Sequence, residues 1–357
     1  MLSRVAERVY WMARYAERAE NIARIVNVYT NLLLDLPRAT PIGWYSLVEI
    51  TGNKKLFKEL YNEELERNIM KFLLADTRNT GSLLNSLSYA RENARTIRGR
   101  LPREGWEHVN KLYLNARAQL PTALSRRNRY EFLTYLIGSV QQLTGLLAGT
   151  MSHNHGYHFV RIGRNLERAD MTSRILDTMS VETFLDEDQK QISPYDYVLW
   201  LNVLKSLSAY QSYRQDVQTS VSRGNVLTFV MKNRDFPRTI LHCLYEIQNS
   251  IQKLPRHLTP IRSLNRIIKR VETSNASALT SKQLHRFIDS LQQDAAEFHS
   301  QFSKTYFSLL EVSPKRQSDN KQGKNITTRK LRSKPAKPAQ SKQAKEAKKS
   351  TAFAIAP

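Results

Sequence analysis

The stretch Arg14-Tyr15-Ala16-Glu17-Arg18-Ala19-Glu20-Asn21-Ile22-Ala23-Arg24 returns 150 positions later as Arg164-Asn165-Leu166-Glu167-Arg168-Ala169-Asp170-Met171-Thr172-Ser173-Arg174. Two outer arginines, the Glu-Arg-Ala core and a second acid, Glu20 or Asp170, are shared by both copies. A small residue, Ala13 or Gly163, precedes each copy. Around the first copy, Val5, Val9, Met12, Ala16, Ala19, Ala23 and Val26 recur at three-four spacing. That spacing predicts one long amphipathic helix over residues 2 to about 36. Asp35-Leu36-Pro37 should end it, because proline disfavours helix at the residue before it. At about 100° per residue, Glu17, Glu20 and Arg24 share one flank bordering the apolar stripe, where partial burial is expected.

The repetition continues beyond the motif. Trp44 is matched by Trp200, Asn68-Ile69-Met70-Lys71-Phe72 by Asn225-Val226-Leu227-Thr228-Phe229, Asp76 by Asn233, and Ser82-Leu83-Leu84 by Thr239-Ile240-Leu241. The order is kept and the offset is nearly constant. We read this as a tandem duplication, 1–150 and 151–312, with a period too long for a solenoid. Only 12 Gly and 12 Pro occur in 357 residues, and helix formers dominate. The expected fold is all-α, two homologous helical halves packed into one pseudo-symmetric bundle. Further helices are predicted near 54–64, over 82–100 with Asp76 or Asn79 as cap, after Pro102, over 128–150 and over 280–310. Residues 254–262, with Pro255 and Pro260, read as a loop.

The net charge is +23, and +11 of it lies in residues 313–357, where 13 Lys and Arg face two acids. That Lys-, Ser-, Gln- and Ala-rich segment is expected to be a disordered basic tail. It would bind nucleic acid only non-specifically, through phosphates, and its one aromatic, Phe353, gives base stacking little support. No membrane span and no signal peptide is read, and the single Cys243 excludes an intrachain disulfide. A cytoplasmic location is the expectation. Cys243 lies on an apolar helical pattern with Leu241 and Leu244 and reads as a buried inert thiol.

The twinned motif is the leading candidate site: Arg14, Glu17, Arg18, Glu20, Arg24, Arg164, Glu167, Arg168, Asp170 and Arg174. The plainest role is a structural ion-pair network, with Glu20–Arg24 and Asp170–Arg174 as i,i+4 pairs. A second is an arginine-lined site for a carboxylate-bearing ligand, in which Arg14, Arg24, Arg164 and Arg174 supply forks and Glu17 and Glu167 orient them. A carboxylate di-metal site lacks the histidine of a Glu-x-x-His pair, and no metal or other cofactor is expected. His153, His155 and His158 match no strong zinc spacing. A second cluster, Asp76, Asn79, Arg91, Glu92 and Arg95, is dense in polar groups for a helix and its entry. There is no phosphate-binding glycine loop, no Ser-His-Asp signature and no zinc-binding cysteine pattern.

Tyr10-Trp11-Met12-Ala13-Arg14-Tyr15-Ala16-Glu17-Arg18-Ala19-Glu20, Ala90-Arg91-Glu92-Asn93-Ala94-Arg95, Gly163-Arg164-Asn165-Leu166-Glu167-Arg168-Ala169-Asp170 and Asp235-Phe236-Pro237-Arg238-Thr239 together resemble the bacterial alpha-E family. The resemblance covers residues 1 to about 310. Ala13 stands where that family usually has Gly, Thr80-Gly81 where Asn-Pro is usual, and Thr239 where Ser is common. The resemblance implies encoding beside an ATP-grasp peptide ligase and a transglutaminase-like peptidase. The protein is then expected to be an accessory or binding component of a peptide-synthesis or protein-tagging system. An enzyme of peptide or amide chemistry using Glu17 or Glu167 as general base is the alternative. A basic nucleic-acid binder acting through the tail is the second alternative.

Overall fold

A computed structural model describes residues 3–35, 43–184 and 196–308, all within the unit Met1–Leu310. The predicted tail and the predicted stop at Pro37 lie outside the described residues. The described residues contain α-helices and short 3-10 and π turns, and no strand. In chain order the helices are α1 (Ser3–Asp35), α2 (Tyr45–Ile50), α3 (Lys54–Leu60), α4 (Glu66–Met70), α5 (Leu83–Thr96), α6 (Arg103–Ala123) and α7 (Arg126–Thr150). Then follow α8 (His155–Phe184), α9 (Asp196–Ser206), α10 (Tyr210–Val217), α11 (Arg223–Lys232), α12 (Ile240–Ile251), α13 (Leu258–Thr273) and α14 (Ser281–Tyr306). The expected all-α class is therefore observed.

The two longest helices, α1 and α8, carry the repeated motif and pack on each other. Helix α1 also packs on α5 and α7, and α8 on α12 and α14. All seven stripe positions of α1 are buried or half-buried, as the periodicity predicts. Close approach of the two helices depends on Gly163, because a Cβ there would collide with the backbone carbonyl of Tyr10. The turns before α5 and α12 are built alike. Asp76 Oδ1 accepts from Arg78 N, and Asn233 Oδ1 from Asp235 N. Ser82 caps α5 by accepting from Asn85 N, and Thr239 caps α12 by accepting from His242 N.

Two expectations are corrected. Residues 258–262 are not loop: α13 begins at Leu258, with Pro260 in its first turn. Proline costs little there, since its missing N–H would have had no intrahelical partner. The buried Leu264, Ile267, Ile268 and Val271 form the apolar face that holds the helix. The cap of α5 is Ser82 rather than Asp76 or Asn79; those two shape the turn ahead of it.

Candidate functional site

The α1–α8 crossing brings the two copies of the motif together. Arg168 donates from Nε and Nη2 to the two carboxylate oxygens of Glu17, each at 2.8 Å. In return Glu167 accepts from Arg18 Nε at 2.5 Å and Nη2 at 3.1 Å, and from Arg14 Nε at 2.7 Å. Each Glu-Arg pair thus exchanges partners with the other copy. Within each helix, Arg24 donates from Nε and Nη2 to Glu20 Oε1 at 2.9 and 2.7 Å, and Arg174 from Nε to Asp170 Oδ2 at 2.9 Å. These are the i,i+4 pairs expected from spacing.

The expected division of labour changes. Glu167 orients Arg14, but Arg24 and Arg174 are held by Glu20 and Asp170. Glu17 holds Arg168 together with Arg238. Arg238, absent from the candidate set, inserts from the loop before α12. Its Nη1 donates to Glu17 Oε1 at 3.0 Å and Asn21 Oδ1 at 2.9 Å, and its Nη2 to Glu20 Oε1 at 2.5 Å. The one signal for it in the sequence is its place in the Phe236-Pro237-Arg238-Thr239 element. Arg164 pairs with no carboxylate among the described residues. Its Nε is buried without a hydrogen-bond partner, and with Thr144 and Tyr157 it lines a cavity of about 20 Å³, room for a single water.

Burial works to raise the pKa of Glu17, but Arg168 and Arg238 outweigh it and hold the carboxyl down to about 2. Glu167 is likewise pushed up by burial and held down to about 2 by Arg14 and Arg18. A general base works best with a pKa near the operating pH, so both carboxylates are poorly suited to that role. Their oxygens also face guanidinium groups, which opposes metal ligation there.

The second cluster divides. Asp76 and Asn79 are buried: Asp76 accepts from Tyr61 Oη at 2.6 Å and Arg78 Nη2 at 2.7 Å, and Asn79 Nδ2 donates to Phe72 O at 3.0 Å. Arg78 and Tyr61 hold Asp76 well below the usual carboxylate range, although burial opposes them. Arg91, Glu92 and Arg95 form a surface chain, with Arg91 Nε donating to Asn110 at 2.7 Å and Arg95 Nε to Glu92 at 2.9 Å. Only the Asp76–Asn79 turn bears on the crossing, because it positions Thr80 and Gly81. Of the three clustered histidines, His153 stacks on Tyr157 at 4.0 Å. Elsewhere, Asp177, His285 and Asp289 bring ligand-type atoms within 4.8 Å of one another. There His285 Nδ1 lies 2.6 Å from Asp177, and that hydrogen bond raises the imidazole pKa. Cys243 is buried, and burial pushes its thiol up to about 12, in keeping with an inert cysteine.

On one side of the crossing the network opens into a cleft of about 200 Å³. It is lined by Arg18, Glu167, Asp170 and Arg174 from the two long helices and by Thr51, Asn53, Thr80 and Gly81 from the loops around them. Arg174 leans on Gly52, where an added Cβ would lie 2.5 Å from Nη1. Beyond the Nε–Asp170 bond, its terminal nitrogens have no hydrogen-bond partner among the described residues.

No helix among the described residues is long and apolar enough to cross a membrane. Uncharacterized proteins from Mycobacterium bovis and Mycobacterium tuberculosis are each 21% identical over 271 residues, covering 71% of this chain. The matched region is 30% of the length of those relatives. No solved structure matches. The model of the Alpha-E family, described as a predicted alpha-helical domain with a conserved ER motif, matches residues 1–307. Glu17-Arg18 and Glu167-Arg168 are Glu-Arg dipeptides of that kind at the helix crossing, and the chain belongs to the Alpha-E family.

Proposed function

We propose that the protein is a binding, accessory component of a bacterial ATP-grasp-linked peptide-synthesis or protein-tagging system. Its cleft beside the α1–α8 crossing holds the carboxylate of a peptide. The observation that carries this reading is Arg174, which lines the cleft and whose terminal nitrogens have no hydrogen-bond partner among the described residues. Three features favour an anion there. Arg18 and Arg174 balance Glu167 and Asp170 on the cleft wall, and Arg14, which pairs with Glu167 from outside the wall, adds one positive charge. The cleft adjoins the N-terminal, electropositive end of α5 through Thr80 and Gly81. A planar guanidinium also matches a carboxylate in two-point geometry. The link to an ATP-grasp ligase and a transglutaminase-like peptidase rests on family resemblance alone.

Calorimetric titration tests the site. An N-acetylated peptide with a free carboxyl terminus should bind at least tenfold tighter than its amide, and Arg174→Gln should erase the difference. Equal affinity of acid and amide would overturn the site. For the pathway, the full chain purified from its host after nuclease treatment should carry an ATP-grasp ligase or a transglutaminase-like protein. Finding neither argues against that half of the proposal.

A further inference from the structure

The register of the sequence repeat aligns Ser82 with Thr239, both observed as helix caps. Gly81 therefore aligns with Arg238. The motif register aligns Glu167, Asp170 and Met171 with Glu17, Glu20 and Asn21. Those last three residues are the ones that accept the Arg238 guanidinium. Their aligned partners Glu167, Asp170 and Met171, together with Gly81, all line the open cleft. Where the second half supplies an arginine side chain, the first half supplies a glycine and a cleft of about 200 Å³.

We infer that the cleft takes a guanidinium group from its ligand, in the place that Arg238 fills at the other copy, so that the bound peptide presents an arginine. This rests on the reading of the cleft as a carboxylate-binding site and names the ligand's second charge. The surrounding cations match position by position: Arg14 with Arg164, Arg18 with Arg168, and Arg174 with Arg24. At the Arg238 site a guanidinium sits among such neighbours, but there Arg164 pairs with no carboxylate among the described residues, whereas Arg14 already donates to Glu167, so the acceptor left for a further guanidinium is not Glu167. Asp170 is the open acceptor. It takes one bond, from Arg174 Nε to Oδ2, whereas its counterpart Glu20 serves both Arg24 and Arg238. At the Arg238 site the fork spans two acids three residues apart, which suits a planar guanidinium better than a point-like ammonium. Met171 in place of Asn21 removes one acceptor, and Asp170 is one methylene shorter than Glu20. The shorter acid leaves the ligand more room than Arg238 has, whereas Met171 is bulkier than Asn21.

The test uses the full chain and three probes: N-acetylarginine, N-acetylnorleucine, which keeps the carboxylate and lacks the guanidinium, and agmatine, which keeps the guanidinium and lacks the carboxylate. The expected result is N-acetylarginine binding at least tenfold tighter than N-acetylnorleucine. Gly81→Arg should plug the cleft and abolish that binding, with thermal stability kept or raised. A Cβ at Gly81 meets Asn79 Oδ1 at 3.3 Å and Asn53 Nδ2 at 3.5 Å, so Gly81→Ala should fold and still bind. Asp170→Asn should remove the preference for N-acetylarginine even if Gly81→Arg folds poorly. Equal affinity for N-acetylarginine and N-acetylnorleucine would overturn the guanidinium inference while leaving the carboxylate site standing. Tight agmatine binding with no response to N-acetylnorleucine would support the guanidinium and sink the carboxylate site. No binding of any probe would overturn both.

Discussion

Glu17 on α1 takes both Nε and Nη2 of Arg168 on α8, each at 2.8 Å, while the neighbouring Arg18 reaches the other way to Glu167. The crossing is thus tied by two reciprocal ion pairs in an interior where each carboxylate is at most 3% exposed. Removing one partner of a buried pair leaves an uncompensated charge and typically costs about 3–5 kcal/mol. Arg168→Met and Glu17→Gln should each lose stability of that order in urea unfolding. The double variant should lose less than the sum of the two. A near-neutral Glu17→Gln, with an unchanged melting temperature, would instead mean that the ion pair contributes nothing net to the fold.

Acid should expose the same network. The folded-state carboxyls of Glu17 and Glu167 lie at about 2 against an ordinary 4.5. Their stabilisation is fully present above pH 4.5 and is lost as pH falls toward 2. Each carboxylate contributes on the order of 3 kcal/mol by linkage. Stability measured from pH 6 down to pH 2 should fall steeply in that window. Arg168→Met should flatten the fall by releasing Glu17 toward its ordinary value. A flat profile in the wild type would show that the pairs contribute nothing net.

Gly163 tests how tightly the helices approach. Its missing Cβ is replaced in space by the Tyr10 carbonyl, a backbone atom that cannot swing aside. Gly163→Ala raises helix propensity by up to about 1 kcal/mol, yet overpacking of this kind costs about 1–3 kcal/mol. The expected balance is a net loss of stability. A stabilised Gly163→Ala would mean that the two helices have freedom to separate.

The part of this architecture that local periodicity controls was legible in the sequence, and the part that depends on tertiary choice was not. The stripe from Val5 to Val26 predicts α1 because burial repeats every three to four residues. Spacing alone places Arg24 on Glu20 and Arg174 on Asp170. Nothing in that spacing says that Glu17 prefers Arg168, 151 positions away, to an arginine on its own helix. Arg238 is hidden as a site residue for a related reason. It lies at a loop-to-helix entry 218 positions from Glu20, and no periodicity connects them. The start of helix α13 is hidden in the sequence because Pro255 and Pro260 make residues 254–262 read as a loop, although proline in a first turn is tolerated.

Arg238 permits a chemical-rescue experiment. Its guanidinium is engaged by Glu17, Asn21 and Glu20, and its residue is 7% exposed. Arg238→Gly should therefore leave three acceptors around an empty fork-shaped space. The loss should again be about 3–5 kcal/mol, since two buried carboxylates lose a shared partner. Methylguanidinium at millimolar concentration should restore part of the melting temperature of Arg238→Gly by binding the folded state alone. It should leave the wild type, whose space is filled, unchanged at that site. Methylammonium carries the same charge without the planar fork and should restore less. Equal rescue by both cations would show that the site reads charge without shape. No rescue by either would mean that the loop before α12 collapses into the space once its arginine is gone.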